Sequence, residues 1–388
     1  MDAAEALLLL HVPVSANPTV TDVTTTPACS ADHDYAEEPA GPAEMLTAAN
    51  ERIAELEKQL AALQIDRFGI ERYSHDDEKI QFYTGFHSYE CLKTFFDSVA
   101  PYAASMRTWA QVQRSSVSTQ YRGFHGKLPP FDQMFLFLHK LRLGSLDQDL
   151  ADKFRISQST VSRHVITWAN FLYMVLGSQP IWPTKSAIQR FMPDSFKQLF
   201  PQTRVVIDCT EIAVQSPSSL MLRSELYSSY KGRTTLKCLI GVTPAGAVSF
   251  VSSLYAGSIS DKHITRVCGL LDLLEEGDVV MSDKGFLIED LLADRGCTLV
   301  LPAFLSNKGQ FSVEEAKLNK IVANLRVHVE RANRRFKEFH LFDAPVPLAL
   351  AGSINQLWTV ACLLTNFQGP LIVQSFVEAC KRSHSHVQ

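Results

Sequence analysis

The chain has 388 residues, of which 46% are hydrophobic and 20% are charged, an ordinary balance for a globular protein with a sizeable core. This length accommodates two or three domains. A formal net charge of -4 excludes a chain that binds nucleic acid through overall charge alone, so such binding requires local basic clusters. The eight cysteines form no Cys-x-x-Cys pair, which favours reduced thiols over a disulfide framework or a zinc module.

The N-terminal region changes character near residue 43. Residues 1–43 are rich in Ala, Pro, Thr, Asp and Glu without lasting periodicity, which predicts a disordered segment. In residues 44–66, a heptad spacing predicts a short coiled coil and a homodimer; a solitary amphipathic helix that docks on its own chain is the alternative. The apolar stripe consists of Leu46, Ala49, Ile53, Leu56, Leu60 and Leu63.

Two further stretches are helical in pattern. Residues 78–126 are rich in aromatic side chains, which predicts a compact helical subdomain with Ser88 as the N-cap of one helix. The apolar run 348–367 approaches membrane-spanning length, but it contains Ser353, Asn355 and Gln356. A buried helix is therefore predicted there, and no membrane partner is expected.

Residues 127–175 carry the sharpest local pattern of the first half. The run Leu-Ala-x-x-Phe-x-Ile-Ser-x-x-Thr-Val-Ser-Arg begins at Leu150. In it, small Ala151 permits a close helix approach, and Ser157 caps a second helix. The pattern strongly resembles the helix-turn-helix signature of bacterial regulators and transposases. A helical hairpin retained only for packing is the alternative.

A DNA-reading role would fall on the start of the second helix, where a recognition helix presents side chains to a major groove. Arg155 and His164 add positive charge there, whereas three aspartates crowd the first helix. The predicted contacts to double-stranded DNA are Gln158, Ser159, Ser162 and Arg163.

A proline-rich connector spans residues 176–203, and Thr184 is the predicted N-cap of a short helix within it. Beyond the connector, the pattern becomes α/β. Three strands in a meander precede alternating helices and strands, and helices close the region 204–370; this is the order of a ribonuclease-H-like fold. Residues 371–388 form a C-terminal tail. The predicted strands are Val205–Asp208, Thr235–Val242, Ala247–Tyr255, Val279–Ser282 and Cys297–Leu301.

Three acids stand out in this region. Asp208 and Asp283 each follow a short apolar strand pattern, and Glu330 lies on a late helical pattern. An aspartate after a strand often only starts a turn, and a helical glutamate often pairs with arginines one turn away. Three acids in this order nevertheless predict a metal-dependent phosphoryl-transfer site.

The motifs around these acids resemble the DDE superfamily endonuclease domain of PIF/Harbinger transposases, their bacterial insertion-sequence relatives and their domesticated derivatives. The likeness spans residues 130–366 and rests on Ile-Asp-Cys-Thr-Glu-Ile, Tyr-Ser-Ser-Tyr-Lys-Gly-Arg-Thr-Thr-Leu-Lys, the run at Gly257–Asp261, Ser-Asp-Lys-Gly-Phe and Val-Glu-Arg-Ala-Asn-Arg-Arg-Phe-Lys-Glu-Phe. Ser282 and Cys209 stand where the family more often has glycine; both departures spare the carboxylates.

The resemblance implies a nuclease that cuts DNA by a two-metal mechanism with Mg²⁺ or Mn²⁺ and needs no organic cofactor. Asp208 would bridge the metals, and Asp283 and Glu330 would each complete one. Asp261 is a possible accessory acid, although an N-cap role at the start of its helix is the preferred interpretation. Phosphates would be held by Lys231, Arg233, Arg331, Arg334 and Arg335.

Two functions remain open from the sequence. The first is the DNA endonuclease, with a helix-turn-helix for targeting and residence in the nucleus, which the resemblance alone implies. The second is a domesticated, catalytically silent DNA-binding or adaptor protein in which the acids persist as structure. A ribonuclease acting on RNA is less favoured, because the chain lacks an aromatic RNA-binding signature.

Overall fold

The computed structural model describes residues 42–66, 68–103, 128–302 and 313–369. The predicted C-terminal tail, most of the predicted disordered segment and the second half of the 78–126 subdomain lie outside these ranges. The chain separates into two compact units, residues 1–60 and residues 61–388. Among the described helices, none is long and apolar enough to cross a membrane.

Helix α1, Pro42–Asp66, covers the predicted heptad stretch. The part of the apolar stripe whose side chains are described is not buried: Leu46, Ile53 and Leu56 are exposed at 64%, 53% and 47%. An exposed stripe of this kind is the surface that a coiled-coil partner would cover. The helix is confirmed, and its partner stays a prediction.

Among the described residues after α1, five helices and a connector with two further short helices precede the sheet. Helix α3 begins where Ser88 caps it, with the Ser88 hydroxyl accepting a 3.2 Å hydrogen bond from the Cys91 N–H. In the connector, the Thr184 hydroxyl accepts from the Ala187 N–H at 3.2 Å and starts α7 as predicted. The bounds are α2 Asp77–Thr84, α3 Tyr89–Ala103, α4 Pro130–Leu143, α5 Asp147–Phe154, α6 Gln158–Gly177, α7 Lys185–Phe191 and α8 Asp194–Leu199.

Helices α5 and α6 form the predicted helix-turn-helix. The turn is made by Arg155, whose φ of 53° is the left-handed conformation typical of a helix C-terminus. Ser157 then caps α6 by accepting from the Thr160 N–H. The predicted inner faces are buried, with Leu150, Ala151 and Phe154 on α5 and Val161, Val165 and Trp168 on α6.

The second half of unit 61–388 is built on a mixed sheet. Its main order is β4–β3–β1–β6–β7, in which β1 runs antiparallel to β3 and parallel to β6. Short strands β2 and β5 also pair with β3. The bounds are β1 Thr203–Ala213, β2 Tyr227–Ser228, β3 Arg233–Val242, β4 Val248–Val251, β5 Tyr255–Ala256, β6 Val279–Met281 and β7 Thr298–Val300.

Five helices accompany the sheet: α9 Leu220–Leu226, α10 Asp261–Val267, α11 Glu289–Ala293, α12 Val313–Phe336 and α13 Ile354–Leu364. Helix α12 packs on β1 and β3, and α13 packs on β4 and on α6. Because α13 contacts both the sheet and the helix-turn-helix, one hydrophobic core runs through both regions. The chain thus has a helical region followed by a mixed-sheet region, as the sequence predicts.

Several predicted elements are shorter in the structure than in the sequence pattern. The strand predicted at Ala247–Tyr255 ends at Val251, because backbone donors beyond it turn to side chains, as when the Leu254 N–H bonds Asn355 Oδ1 at 2.9 Å. The helix predicted from Asp261 to Leu274 ends at Val267, since Gly269 has φ +85°. The run 348–367 is divided into α13 and two short 3₁₀ turns.

Candidate active site

Asp208 and Asp283 lie at the same edge of the sheet. Strands β1 and β6 are parallel, and Val206 pairs with Met281 in their register. Each aspartate lies two residues beyond that pair: Asp283 follows the end of β6, whereas Asp208 lies within β1, which continues to Ala213, past the end that the sequence predicts. The two aspartates are therefore at the same level on neighbouring strands. Both side chains are half-buried. The sheet therefore brings together two of the three acids that the sequence singles out.

The Asp208 carboxylate is held by a helix from a distant part of the chain. The Asn333 side-chain amide on α12 donates to Asp208 Oδ2 at 2.6 Å. Its orientation is fixed in turn by Thr210, whose hydroxyl donates to Asn333 Oδ1 at 3.0 Å. The other carboxylate oxygen, Asp208 Oδ1, accepts from the Cys209 N–H at 2.9 Å. These bonds fix the direction in which the carboxylate points.

Glu330 is on α12, one helical turn before Asn333. Residues three apart on a helix project to the same side, so Glu330 lies on the side of α12 that approaches β1. Its side chain is exposed. Neighbouring Ala332 and Phe336 are buried and anchor this end of the helix.

Asp261 joins the group from the first turn of α10. The sequence favours it as the N-cap of that helix, and this interpretation is wrong: Ser260 is the N-cap, and its hydroxyl accepts from the His263 N–H at 3.2 Å. Asp261 is thereby left to face the sheet. A Cβ on Gly285 would lie 3.1 Å from Asp283 Oδ1 and 3.8 Å from Asp261 Oδ2, so both carboxylates flank this glycine.

We call the part of the sheet that carries Asp208 and Asp283, together with the adjacent Asp261, the acidic edge. Lys237 on β3 provides positive charge to it. Its ammonium group lies 3.2 Å from Asp261 Oδ1 and 3.8 Å from Glu211 Oε1. It also donates to the Ile259 carbonyl at 3.0 Å. The second oxygen of Glu211 accepts from the Thr235 hydroxyl at 2.7 Å. Glu211 is therefore committed to an ion pair and a hydrogen bond within the sheet.

Cys209 lies among these acids, but it is not a nucleophile. Burial raises the pKa of its thiol, and the negative charges of Asp261 and Asp208 raise it further. A thiol with a raised pKa stays neutral at pH 7, and the thiolate is the reactive form. All six described cysteines are free. The chemistry available at this edge is thus that of carboxylate oxygens.

The acids do not form a closed cage. Within the described ranges, no three His, Cys, Asp or Glu side chains already converge as a metal-binding group. Asp208 and Asp283 nevertheless offer carboxylate oxygens at one edge, and oxygen is the donor that Mg²⁺ and Mn²⁺ prefer. The donor set therefore fits a hard divalent cation.

Four of the five predicted phosphate-binding residues are exposed: Lys231, Arg233, Arg331 and Arg334. Arg335 is placed differently. Its guanidinium donates to the Gly369 carbonyl, and burial lowers its pKa. It lines an apolar groove of about 880 Å³, which none of the predicted acids lines. The four exposed groups are the ones available to bind a phosphate backbone.

At the start of α6, Gln158, Ser159 and Arg163 are exposed and Ser162 is half-buried. The Arg163 side chain folds along its own helix, donating to the Ser159 carbonyl at 3.1 Å and to the Thr160 hydroxyl at 3.0 Å. His164 does not contribute surface charge as the sequence predicts, because it is 6% exposed and its pKa is lowered to about 4, mainly by burial.

Sequence reasoning missed Asn333 and Lys237. Asn333 follows Glu330 by three residues, so helical periodicity alone could have placed it on the same side. Lys237 is on a strand whose pairing puts it opposite Glu211. That register cannot be read from a single sequence, because it depends on which strands become neighbours.

Residues 207–366 match the family model of the DDE superfamily endonuclease, and residues 126–178 match the helix-turn-helix of DDE superfamily endonuclease. The curated relatives include "Putative nuclease HARBI1" of Bos taurus, 26% identical over 165 residues, which are 42% of this chain and 46% of that protein. The same protein of Homo sapiens is 26% identical over 171 residues, or 42% and 48% of the two chains. This chain spans about half the length of the curated relatives it matches.

The two matched regions coincide with elements already described. The endonuclease match begins within β1, one residue before Asp208, and ends beyond α13. The second match contains α4, α5 and α6. Residues 207–366 are therefore similar to DDE superfamily endonucleases, and residues 126–178, upstream of them, are similar to the helix-turn-helix of that family.

Proposed function

We propose that this protein is a metal-dependent DNA endonuclease of the transposase-derived kind, with a ribonuclease-H-like catalytic domain. The observation that carries the proposal is the register of β1 and β6, which sets Asp208 and Asp283 side by side at one edge of the sheet. Glu330, on α12 one turn before Asn333, would complete the acidic triad. The family match and the HARBI1 relatives support the same reaction class.

Asp208, Asp283 and Glu330 are the residues that would hold the divalent metal. Their oxygens suit Mg²⁺ or Mn²⁺. A bound divalent cation supplies electrostatic stabilisation to the oxygens whose charge changes during phosphodiester cleavage. In that hydrolysis a water oxygen bonds to phosphorus as the bond to the 3′ oxygen breaks, which leaves a 3′ hydroxyl and a 5′ phosphate.

The chain's own groups orient this site. Asn333 holds Asp208 Oδ2 and is itself oriented by Thr210. Lys237 offsets the charge of Asp261 and Glu211, which keeps a fourth and a fifth acid from repelling the substrate phosphate. The exposed basic groups Lys231 and Arg331 offer contacts to flanking phosphates.

Substrate selection is assigned to the helix-turn-helix. Exposed Gln158 and Ser159 at the start of α6 suit the edges of bases in a major groove. The exposed stripe of α1 would join two copies into a homodimer, which matches the paired ends of an inverted-repeat target. Residence in the nucleus is proposed from the resemblance to PIF/Harbinger-derived nucleases alone.

Cleavage of supercoiled plasmid by the purified full chain tests the proposal. We expect nicked and linear products with Mg²⁺ or Mn²⁺ and none when EDTA is added. A plasmid carrying inverted repeats serves beside a plasmid without them, so that a missing target sequence is separated from a missing activity. If neither plasmid is cut with either metal, the nuclease proposal fails.

One observation favours the adaptor function as the second candidate. The Asp208 carboxylate accepts a hydrogen bond from Asn333, and Lys237 forms ion pairs with Asp261 and Glu211. No ready-made metal-binding group is present among the described side chains. A silent DNA-binding protein would retain these bonds as structure. It would bind duplex DNA with an affinity that falls steeply with salt, and it would cut nothing.

A further inference from the structure

A short projection between β1 and β3 exposes an unusual amount of apolar surface. It contains α9 and β2 and spans residues 216–233, and we call it the finger. None of the seven residues of α9 is buried. Leu220, Met221 and Leu222 are exposed at 80%, 73% and 51%, and Tyr230 is exposed at 84%.

Such exposure needs a reason. Scattered apolar side chains on a surface are ordinary, whereas a contiguous exposed group marks a surface that binds something. Among the described residues, Tyr230 and Leu220 are the two most exposed large hydrophobic side chains. Three consecutive apolar residues at the start of α9 make this the most concentrated group of its kind in the endonuclease region.

The finger is attached directly to the acidic edge. The Ser258 N–H donates to the Glu225 carbonyl at 3.3 Å, and this bond ties α9 to the loop that leads into Asp261. Gly257 is packed so closely that a Cβ there would lie 2.8 Å from the Leu226 carbonyl oxygen and 2.2 Å from Thr235 Oγ1. On the other side, β2 pairs with the start of β3, the strand that carries Lys237.

The charge of the finger favours a polyanion. Residues 216–233 contain three basic side chains and one acid, against a net charge of -4 for the whole chain. All three basic side chains are exposed. The Lys231 ammonium lies 4.6 Å from the centroid of the Tyr230 ring, so a cation and an aromatic face are presented together. The basic members are Arg223, Lys231 and Arg233.

We propose that the finger inserts into substrate DNA beside the acidic edge. Leu220–Leu222 would wedge between bases, and Tyr230 would stack on a base that is displaced from its pair. The basic side chains would hold the flanking phosphates. Apolar wedges that unstack base steps, and aromatic rings that accept bases, are both established ways of deforming nucleic acid. The inference rests on the proposed DNA substrate.

A second copy of the chain fits this surface less well than DNA. In a two-fold dimer the same patch meets itself. The three basic side chains of one finger would then oppose those of the other, which is repulsive. DNA satisfies the apolar and the basic groups at once.

Binding to duplexes with and without unpaired bases tests the finger. The full chain carrying Asp208→Asn is used so that no cutting occurs. The probes are a 40-bp duplex and the same duplex with three central mismatches. Unpaired bases need no unstacking, so we expect the mismatched probe to bind about tenfold more tightly. The combined change Leu220→Ser, Met221→Ser and Leu222→Ser should abolish that preference, because the loss of affinity is larger for the mismatched probe than for the paired duplex.

The matched control places three serines at exposed apolar positions outside the finger: Leu199→Ser, Val267→Ser and Leu273→Ser. It should keep the preference. Tyr230→Ala is a second finger variant and should reduce the preference by itself. A fluorescent adenine analogue at the mismatch reports stacking directly, and its quenching should depend on Tyr230.

Three results overturn the inference. The first is a finger variant that keeps the preference of the parent chain, and the second is equal weakening of both probes. The third is conversion of a dimer to a monomer in light scattering, which would make the finger an interface between copies. Failure of the parent chain to bind either probe contradicts DNA as the substrate, and with it the proposed function. Binding without any finger effect contradicts the finger alone.

Discussion

The amide of Asn333 donates a 2.6 Å hydrogen bond to Oδ2 of Asp208, joining residues that are 125 positions apart in the chain. A carboxylate that must hold a metal has to point in one direction, and a partner outside the ligand set commonly fixes that direction. Because Asn333 lies one turn after Glu330, the same helix both orients the first acid and carries the third.

Asn333→Ala should lower the kcat for DNA cleavage by about 10–100-fold and leave KM near its wild-type value, because partners that orient metal ligands contribute at this level. The free energy of unfolding should fall by about 1 kcal/mol, the usual contribution of one hydrogen bond. Single-turnover cleavage and urea unfolding measure the two effects.

Asn324→Ala is the matched control for that variant. Asn324 is on the same helix and is exposed, so the substitution changes helix propensity equally without touching Asp208. If Asn333→Ala and Asn324→Ala lower kcat equally, the loss comes from a less stable α12 helix and not from the hydrogen bond to Asp208. A change confined to KM would contradict a positioning role for Asn333.

Lys237→Met should destabilise the fold by about 2–4 kcal/mol, because it leaves Asp261 and Glu211 facing one another without their cation. The Lys237 side chain is only 13% exposed, so solvent replaces little of the lost interaction. Urea unfolding at pH 7 measures the loss. Lys153→Met removes a more exposed pair with Asp149 and should reduce stability by less than about 1 kcal/mol. Equal losses in the two variants would argue against a buried cation.

Acid should weaken the helix-turn-helix through two buried histidines. The pKa of His139 is lowered to about 4 by burial and by the Lys153 charge, and the pKa of His164 is lowered to about 4 by burial and by the Arg163 charge. Between that value and the ordinary histidine pKa of about 6.5, the unfolded chain binds more protons than the folded one. Stability is therefore full above pH 6.5 and declines as pH falls towards 4.

The decline should amount to on the order of 1–3 kcal/mol for each histidine over that window. Unfolding in urea at pH 7.5 and pH 4.5 measures it. His139→Gln and His164→Gln should each flatten the pH dependence, whatever they do to stability at pH 7.5. The exposed His263 provides the control. His263→Gln should leave the change of unfolding free energy with pH as it is in the wild type. An unchanged slope in all three variants would contradict this account.

Deletion of residues 45–65 should convert a dimer into a monomer. The stripe that this segment carries on α1 is apolar and exposed, and covering such a stripe is what drives coiled-coil pairing. Light scattering on the intact and shortened chains gives the mass directly. Ile53→Glu should also convert the dimer into a monomer, because it places a charge in the apolar stripe. Glu57→Gln lies outside the stripe and should leave the dimer intact. An unchanged mass would leave α1 as a solitary helix.

The sequence was informative wherever local chemistry decides the structure. Ser157 and Thr184 cap helices because a short hydroxyl side chain satisfies the first free N–H groups. The strand before Asp208 was readable because both faces of the sheet are covered, so its residues are apolar in succession. The predicted order along the chain, three strands before alternating helices and strands and then helices, agrees with the order of the observed elements.

Sequence reasoning failed where distant contacts decide. The sequence favours Asp261 as the N-cap of α10, whereas the structure gives that role to Ser260 and pairs Asp261 with Lys237, which only folding brings beside it. His164 was counted as surface charge because the pattern did not show which side of α6 meets its neighbours. The finger passed unnoticed because apolar residues in a sequence usually indicate core, and exposure is visible only after folding.

Side-by-side cleavage of supercoiled DNA by the wild type and by Asp208→Asn, Asp283→Asn and Glu330→Gln tests the central claim most directly. Each substitution keeps the shape of the side chain and removes the charge that would hold a cation. The account predicts cleavage with Mg²⁺ or Mn²⁺ by the wild type and by the surface control Asp294→Asn, and none by the three variants, all of them folded. Cleavage by any of the three at the wild-type rate would contradict it.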